Sequence, residues 1–421
     1  MPQTITEKIF SAHCGYKAKA GDIVDSPIDM VIGNDITTPI SIKAFRQSGA
    51  KKLANPQGFA IVMDHYIPAK DIMSANQAKI SREFAYEHDL ANFFDEKDMG
   101  IEHALIPQKG LVIPGDVIIG ADSHTCTHGA LGAFSTGMGS TDLAYAMITG
   151  KNWFKVPKSI KVIFKNRPEE HIYGKDLILE LIGQIGVDGA LYQALEFCGD
   201  SLKYLDMDSR FSLCNMAIEA GAKNGIIAVD EITKEFLKGR DLRAEPKLYY
   251  SDEGASYERV IEIDTAKLEP VIAYPFLPSN TKNISQALKD DIAVDQAFIG
   301  SCTNGRLSDL RIAAKILKGK RVAKKTRLII TPATQQIALA AQKEGLMDIF
   351  VEAGALVSNP TCGACLGGYM GILGANESCI STTNRNFIGR MGDRTSKVYL
   401  ANSAVVAASA IAGKIADPRE L

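Results

Sequence analysis

Three cysteines pose the first chemical question. Cys362 and Cys365 form a C-x-x-C pair inside Asn359-Pro360-Thr361-Cys362-Gly363-Ala364-Cys365-Leu366-Gly367-Gly368. Cys302 stands in a comparable setting, Gly300-Ser301-Cys302-Thr303-Asn304-Gly305. Thiolates bind metals and attack electrophiles, and both loops are small and polar enough for backbone amides to face a ligand. A structural zinc would ask for four protein ligands, and no fourth Cys or His lies near either loop. Disulfide exchange asks for a C-x-x-C opening a helix in a redox fold, whereas Pro and Gly flank this one. The cysteines could also be small core residues, a reading less suited to three of them in Gly-, Thr- and Asn-bearing loops. An iron–sulfur cubane normally takes four thiolates. With three, one iron would keep an open position and act as a Lewis acid.

Three histidines stand beside candidate acidic partners. Asp64 and His65 follow the strand-like 59–63 segment, His103 follows Glu102, and His124 lies in Asp122-Ser123-His124-Thr125. A carboxylate bonded to an imidazole fixes its tautomer and keeps it protonable. Glu219 and Asn215 share a face at i, i+4 of a segment read as a helix capped near Asp208 and Ser209. Its small and apolar neighbours, Met216, Ala217, Ala220 and Gly221, point to close packing rather than an open face. Arg385 and Arg390 lie five residues apart in one polar loop, and guanidinium groups grip carboxylates through two parallel bonds. In His124-Thr125-Cys126-Thr127-His128, an extended backbone would put three metal-binding side chains on one side. A hydrogen-bonded catalytic loop competes with that reading, and the segment stays outside the metal set.

These loops need elements to hold them. The recurring pattern is a short β-branched strand, a Gly-bearing polar loop, then an amphipathic helix. Strands at 117–120, 297–300 and 327–330 run into the loops of His124, Cys302 and Thr331, with helices expected at 140–147, 308–317 and 335–342. Such alternation predicts an α/β fold with mostly parallel sheets flanked by helices, which gathers functional groups at the carboxyl ends of strands. A length of 421 residues exceeds one core, and three α/β domains are expected at 1–157, 158–278 and 279–421. The last would carry the cysteines, after a proline-bearing linker between Glu269 and Asn283.

Composition narrows the function. Apolar content of 46% and charged content of 23% are those of an ordinary globular protein. A net charge of −2 lacks the basic excess of a nucleic-acid binder. The apolar 401–413 run is too short to span a bilayer. No apolar segment follows the Met-Pro-Gln-Thr start, so the expectation is a cytoplasmic protein with reduced thiols.

Taken together, the 301–305 and 360–367 motifs, Ser381-Thr382-Thr383-Asn384-Arg385-Asn386-Phe387-Ile388-Gly389-Arg390 and Gly120-Ala121-Asp122-Ser123-His124-Thr125 resemble the aconitase superfamily, in order along the chain. The resemblance implies three domains around a central [4Fe–4S] cluster held by Cys302, Cys362 and Cys365, with one iron not bound by cysteine. That iron would take the hydroxyl and a carboxylate of a small di- or tricarboxylic hydroxy acid. It further implies that Asp64 pairs with His65, which protonates the departing hydroxyl, that Asp122 pairs with His103, and that Glu219 pairs with His124. Asn34, Asp35 and Thr37 resemble the first substrate loop, with Asn where aconitase has Gln. Ser123, Arg385 and Arg390 would join them on the substrate, and Asn215, Asn304 and Asn384 would surround the cluster.

Single-chain aconitases continue into a fourth domain that supplies the carbon base and further arginines. This chain stops at Leu421 and resembles the large subunits of the superfamily's two-chain dehydratases, as does Asp122-Ser123-His124-Thr125-Cys126-Thr127-His128-Gly129. The expectation is a hydro-lyase completed by a small subunit carrying the base. Some relatives bind RNA when the cluster is lost, but the missing basic excess and fourth domain count against that role here.

Overall fold

Runs of Val, Ile and Phe that are buried on both faces suit parallel sheets covered by helices. In the computed structural model, which describes residues 2–421, such runs build three sheets in succession. Asn92–Phe94, Phe59–Val62, Met30–Asn34, Val117–Gly120 and Phe134–Gly137 lie side by side in that order, every pair parallel. Asn224–Ile227, Ala194–Cys198, Ser159–Lys165 and Arg259–Asp264 form a second all-parallel sheet. The third has seven strands, parallel from Lys397–Leu400 through Ser378–Ser381, Gln296–Ile299 and Arg327–Ile330 to Leu356–Val357. A ribbon of Ile23–Pro27 against Lys151–Lys155 is antiparallel. The α/β architecture with mostly parallel sheets is the one the alternation implied.

The predicted helices at 140–147, 308–317 and 335–342 are Ser140–Thr149, Leu307–Leu317 and Gln335–Lys343, the last capped by the Thr334 side chain. Ser403–Ala412 is the apolar run of the C-terminal region, buried along most of its length. No helix is long and apolar enough to cross a membrane among the described residues.

Two local readings change. The stretch expected as a linker supplies Val271–Ala273 and Thr281–Asn283, an antiparallel pair on the edge of the seven-stranded sheet. Pro270, Pro275 and Pro278 lie outside both strands, where a missing N–H breaks no ladder. The helix expected to carry Glu219 ends earlier, at Asn215, and its cap is Asp206, which accepts from the Ser209 N–H. Met216–Ala220 tightens into a 3-10 turn closed by Gly221 at φ +83°.

One buried apolar cluster ties the three sheets together, from Met30 and Ile118 through Val162 and Phe197 to Phe298 and Leu400. Loops that leave different sheets are therefore anchored to a common, close-packed core, which deforms little.

Candidate active site

The carboxyl ends of strands from two sheets converge on one small cleft. Met30–Asn34 delivers Asn34 and Asp35, Phe59–Val62 delivers Asp64 and His65, and Val117–Gly120 delivers Asp122, Ser123 and His124. From the seven-stranded sheet, Gln296–Ile299 leads to Cys302, Leu356–Val357 to Cys362 and Cys365, and Ser378–Ser381 to Asn384, Arg385 and Arg390. Asp64, His65, Glu102, His103, Asp122, His124, the three cysteines, Arg390, Ile101 and Leu366 line the cleft.

The acid–imidazole pairs are formed. His65 Nδ1 lies 2.5 Å from Asp64 Oδ1, His103 Nε2 lies 2.9 Å from Asp122 Oδ1, and His124 Nε2 lies 3.1 Å from Glu219 Oε1. Burial alone would push His65 down, but the Asp64 carboxylate, helped by Asp35, raises it well above the ordinary imidazole value. For His124, burial and Arg385 act downward, and Glu219 and Asp122 outweigh them to raise it. Burial opposes the ionisation of Asp122, yet bonds from His103 and His124 hold it well below the usual carboxylate range. Glu219 is likewise held low against burial by His124 and Arg385, whose Nε donates to Glu219 Oε1 at 2.6 Å. The arrangement is a set of imidazoles each bonded to a carboxylate, a pairing suited to giving a proton to a leaving oxygen and taking it back.

The substrate-loop residues divide in their use. Asn34 Oδ1 accepts from the Ile36 and Thr37 amides and from the Thr37 hydroxyl, so Asn34 and Thr37 shape their own turn. Asp35 accepts from the backbone of His65 and Tyr66, binding the first loop to the second. Ser123 is half-buried beside the cleft. Arg390 lines the cleft with its buried Nε unpartnered, as a guanidinium awaiting an anion would be.

Cys302, Cys362 and Cys365 are all buried and free of disulfides. Asn215 and Asn384 each donate a side-chain amide to Cys302 Sγ, at 3.2 and 3.4 Å, and Asn384 Oδ1 lies 3.5 Å from Cys365 Sγ. Asn304 instead donates to Ser212 and Asp309. The Cys362 thiol beside it holds Cys365 down at about 5 against burial, with Arg390 and His124 adding to the effect. Ser301, just before Cys302, has φ +73°, the kind of backbone strain that collects at functional loops. Among the described residues, the groups whose ligand atoms gather within 4.8 Å are Asp35–Asp64–His65 and Glu102–His103–Asp122, and the cysteines form no such group. Three sulfurs spread around one cleft, with amide donors aimed at one of them, suit a polynuclear cluster better than a single ion.

The His124-to-His128 segment does not grip a metal. It is a 3-10 helix, Ser123–Leu131, rather than extended; Cys126 Sγ bonds the Asn215 carbonyl, and His128 is buried against the His103 ring.

Glu102 entered the sequence reading only as the acidic neighbour of His103 and was not placed in the site. It receives the Asn34 amide at 2.9 Å, its own N–H donates to Asp64, and burial, then Asp64 and Asp122, raise it well above the usual range. It lies between two acid–imidazole pairs, where burial and the surrounding carboxylates favour its protonated form. Its only sequence signal was adjacency to His103. A larger cleft of about 760 Å³, near Arg167, His171 and Asp206, contains none of these groups.

Residues 7–413 match the Aconitase family (aconitate hydratase). The chain is 83% identical over 421 residues to the 3-isopropylmalate dehydratase large subunit of Campylobacter fetus subsp. fetus (strain 82-40), covering 100% of both chains. It is 76% identical over 422 residues to the protein of that name from Wolinella succinogenes, again covering 100% of each. The crystal structure of Thermococcus kodakaraensis aconitase X (holo-form) superimposes with a TM-score of 0.51 at 13% identity, over 94% of this chain and 96% of that one, which is a likeness of fold.

Proposed function

This chain belongs to the aconitase family, and from that premise we propose that it is the large subunit of a hydro-lyase converting 2-isopropylmalate to 3-isopropylmalate, in leucine biosynthesis. The observation that carries the reading is the convergence of three buried cysteines and three carboxylate-backed imidazoles on one cleft. The family implies an iron–sulfur group, and Cys302, Cys362 and Cys365 would hold it as a [4Fe–4S] cluster. When bound, it supplies a Lewis acid at the iron that no cysteine reaches.

The reaction removes a hydroxyl from one carbon and a proton from its neighbour, then returns them in exchanged positions. His65, protonated and held by Asp64, gives its proton to the departing hydroxyl oxygen and recovers it on rehydration. His103, bonded to Asp122, and His124, bonded to Glu219, stand on the other walls of the cleft. Arg390, with Arg385 behind it on Glu219, orients the substrate carboxylates. Asn34, Asp35, Thr37 and Ser123 fix the near edge.

The carbon base comes from a small partner subunit, as the "large subunit" in the relatives' names supports. Exposed Met370, Ile372, Phe387 and Ile388 beside the cleft loops are further support, since apolar side chains at a catalytic rim are suited to being covered. The same proposal has the complex working in the cytoplasm.

The test is turnover of 2-isopropylmalate and of homocitrate by the cluster-loaded complex with its small subunit, followed by ultraviolet absorbance of the unsaturated intermediate. Preference for 2-isopropylmalate is expected. Preference for homocitrate would make the protein a homoaconitate hydratase subunit instead.

A further inference from the structure

Lys175 is a buried charge whose partners do not account for it. Its side chain is 0% exposed. Nζ donates to the Thr382 carbonyl at 2.9 Å and the Thr383 carbonyl at 2.5 Å. It has no ion pair with a carboxylate among the described residues. The adjacent Asp176 is engaged elsewhere, accepting from Asn402 and from the Tyr173 and Val271 amides. Glu219, the acidic group that acts on it most, already serves Arg385 and His124.

Its place in the helix adds to the puzzle. Lys175 is the second residue of Gly174–Ile185, so the ammonium belongs to the end where the helix dipole disfavours positive charge. Burying an uncompensated ammonium is strongly unfavourable. The helix start is pressed into position, since a Cβ on Gly174 would come within 2.0 Å of the Ser209 carbonyl oxygen.

Burial pulls Lys175 down to about 8, and the charges that oppose this are Glu219 first, then the thiol positions Cys365 and Cys302. The Thr382 carbonyl that takes Nζ also accepts from Thr303 Oγ1 at 2.9 Å, next to Cys302. Two residues on, Asn384 donates to Cys302 Sγ, and Arg385 holds Glu219. The ammonium thus sits behind the junction of the Cys302 loop and the substrate-arginine loop. A cubane on three thiolates carries net negative charge, the counter-charge this lysine lacks.

We propose that Lys175 is a positioning residue of the cluster site: its ammonium balances the cysteine-held cluster from behind, and its two bonds fix the 382–385 loop. The proposal rests on the cluster reading above. The experiment compares wild type, K175M, K175Q and K175R as holoenzymes with the small subunit. It measures the cluster's midpoint potential by EPR-monitored titration and its iron loss on exposure to air. A wild type without a cluster would overturn the functional reading itself and is scored first. Given a loaded wild type, K175M and K175Q are expected to shift the potential to more negative values and lose iron about 10- to 100-fold faster, while K175R stays near wild type. Failure of K175M and K175Q to load, with helical content intact and K175R loaded, supports the same conclusion. An unchanged potential in K175M or K175Q, or loss of cluster in K175R as severe as in K175M, overturns it.

Discussion

At the scale of single residues, the chemistry depends on groups whose protonation is set by a named neighbour. His65 is held well above the ordinary imidazole value by Asp64 at 2.5 Å in a buried setting. His65→Gln is therefore expected to lower kcat about 10²- to 10⁴-fold with a smaller change in KM, read from steady-state kinetics of the complex. Cys365→Ser is expected to abolish the visible absorption of the cluster, measured together with bound iron; colour that survives would remove Cys365 from the ligand set. The cysteines, paired histidines and arginines were legible because they sit in long ordered motifs. Glu102 and Lys175 were not, since a lone Glu or Lys in the first turn of a helix reads as a solvated residue. Only the packing of the Asp64 loop against Glu102, and of the 382–385 loop against Lys175, removes them from water.

At the scale of elements, strand–loop–helix alternation was readable from β-branched runs and caps, and the loops did fall at strand carboxyl ends. What misled was local composition. Three prolines made 269–283 look like a linker, while Val271–Ala273 gains its place by tertiary pairing with Lys397–Leu400. Periodicity alone also carried a helix past Asn215, where the chain tightens to bring Glu219 onto His124. The 3-10 helix Ser123–Leu131 lies so near Asn224–Ile227 that a Cβ on Gly129 would stand 1.7 Å from the Gly225 carbonyl oxygen. Gly129→Ala should cost at least the roughly 1–3 kcal/mol of an overpacked core, measured by urea unfolding. The first helix, Ile5–Cys14, is tied down by His13 Nε2 on Asp29 Oδ2 at 2.7 Å, and the same oxygen accepts the Val117 amide. Burial lowers His13, but the Asp29 bond wins and raises it above 6.5. Its contribution to stability is therefore complete below pH 6.5 and lost as pH climbs through the raised value. The difference in thermal midpoint between wild type and His13→Gln should be largest on the acid side of that window and vanish on the alkaline side. Asp116 and Arg243 remain in both proteins, so the difference isolates His13.

At the scale of the whole molecule, loops from two sheets meet at one cleft because a continuous buried core binds those sheets to the second. No single segment contains a working site. Asp64 and His124 come from one sheet, the cysteines and arginines from another, and Glu219 from the connection after Met207–Asn215. On the proposed reading a small partner subunit supplies the carbon base, so the isolated chain, even fully loaded, is expected to turn over less than about a hundredth as fast as the complex. The central claim is that three cysteines hold a cluster with one iron left for the substrate. Mössbauer spectroscopy of the ⁵⁷Fe-loaded complex, with and without 2-isopropylmalate, tests it most directly. One iron of the four should differ from the rest and change its spectrum when substrate is added. A spectrum with four equivalent irons unmoved by substrate, or no iron–sulfur signal at all, would contradict the account.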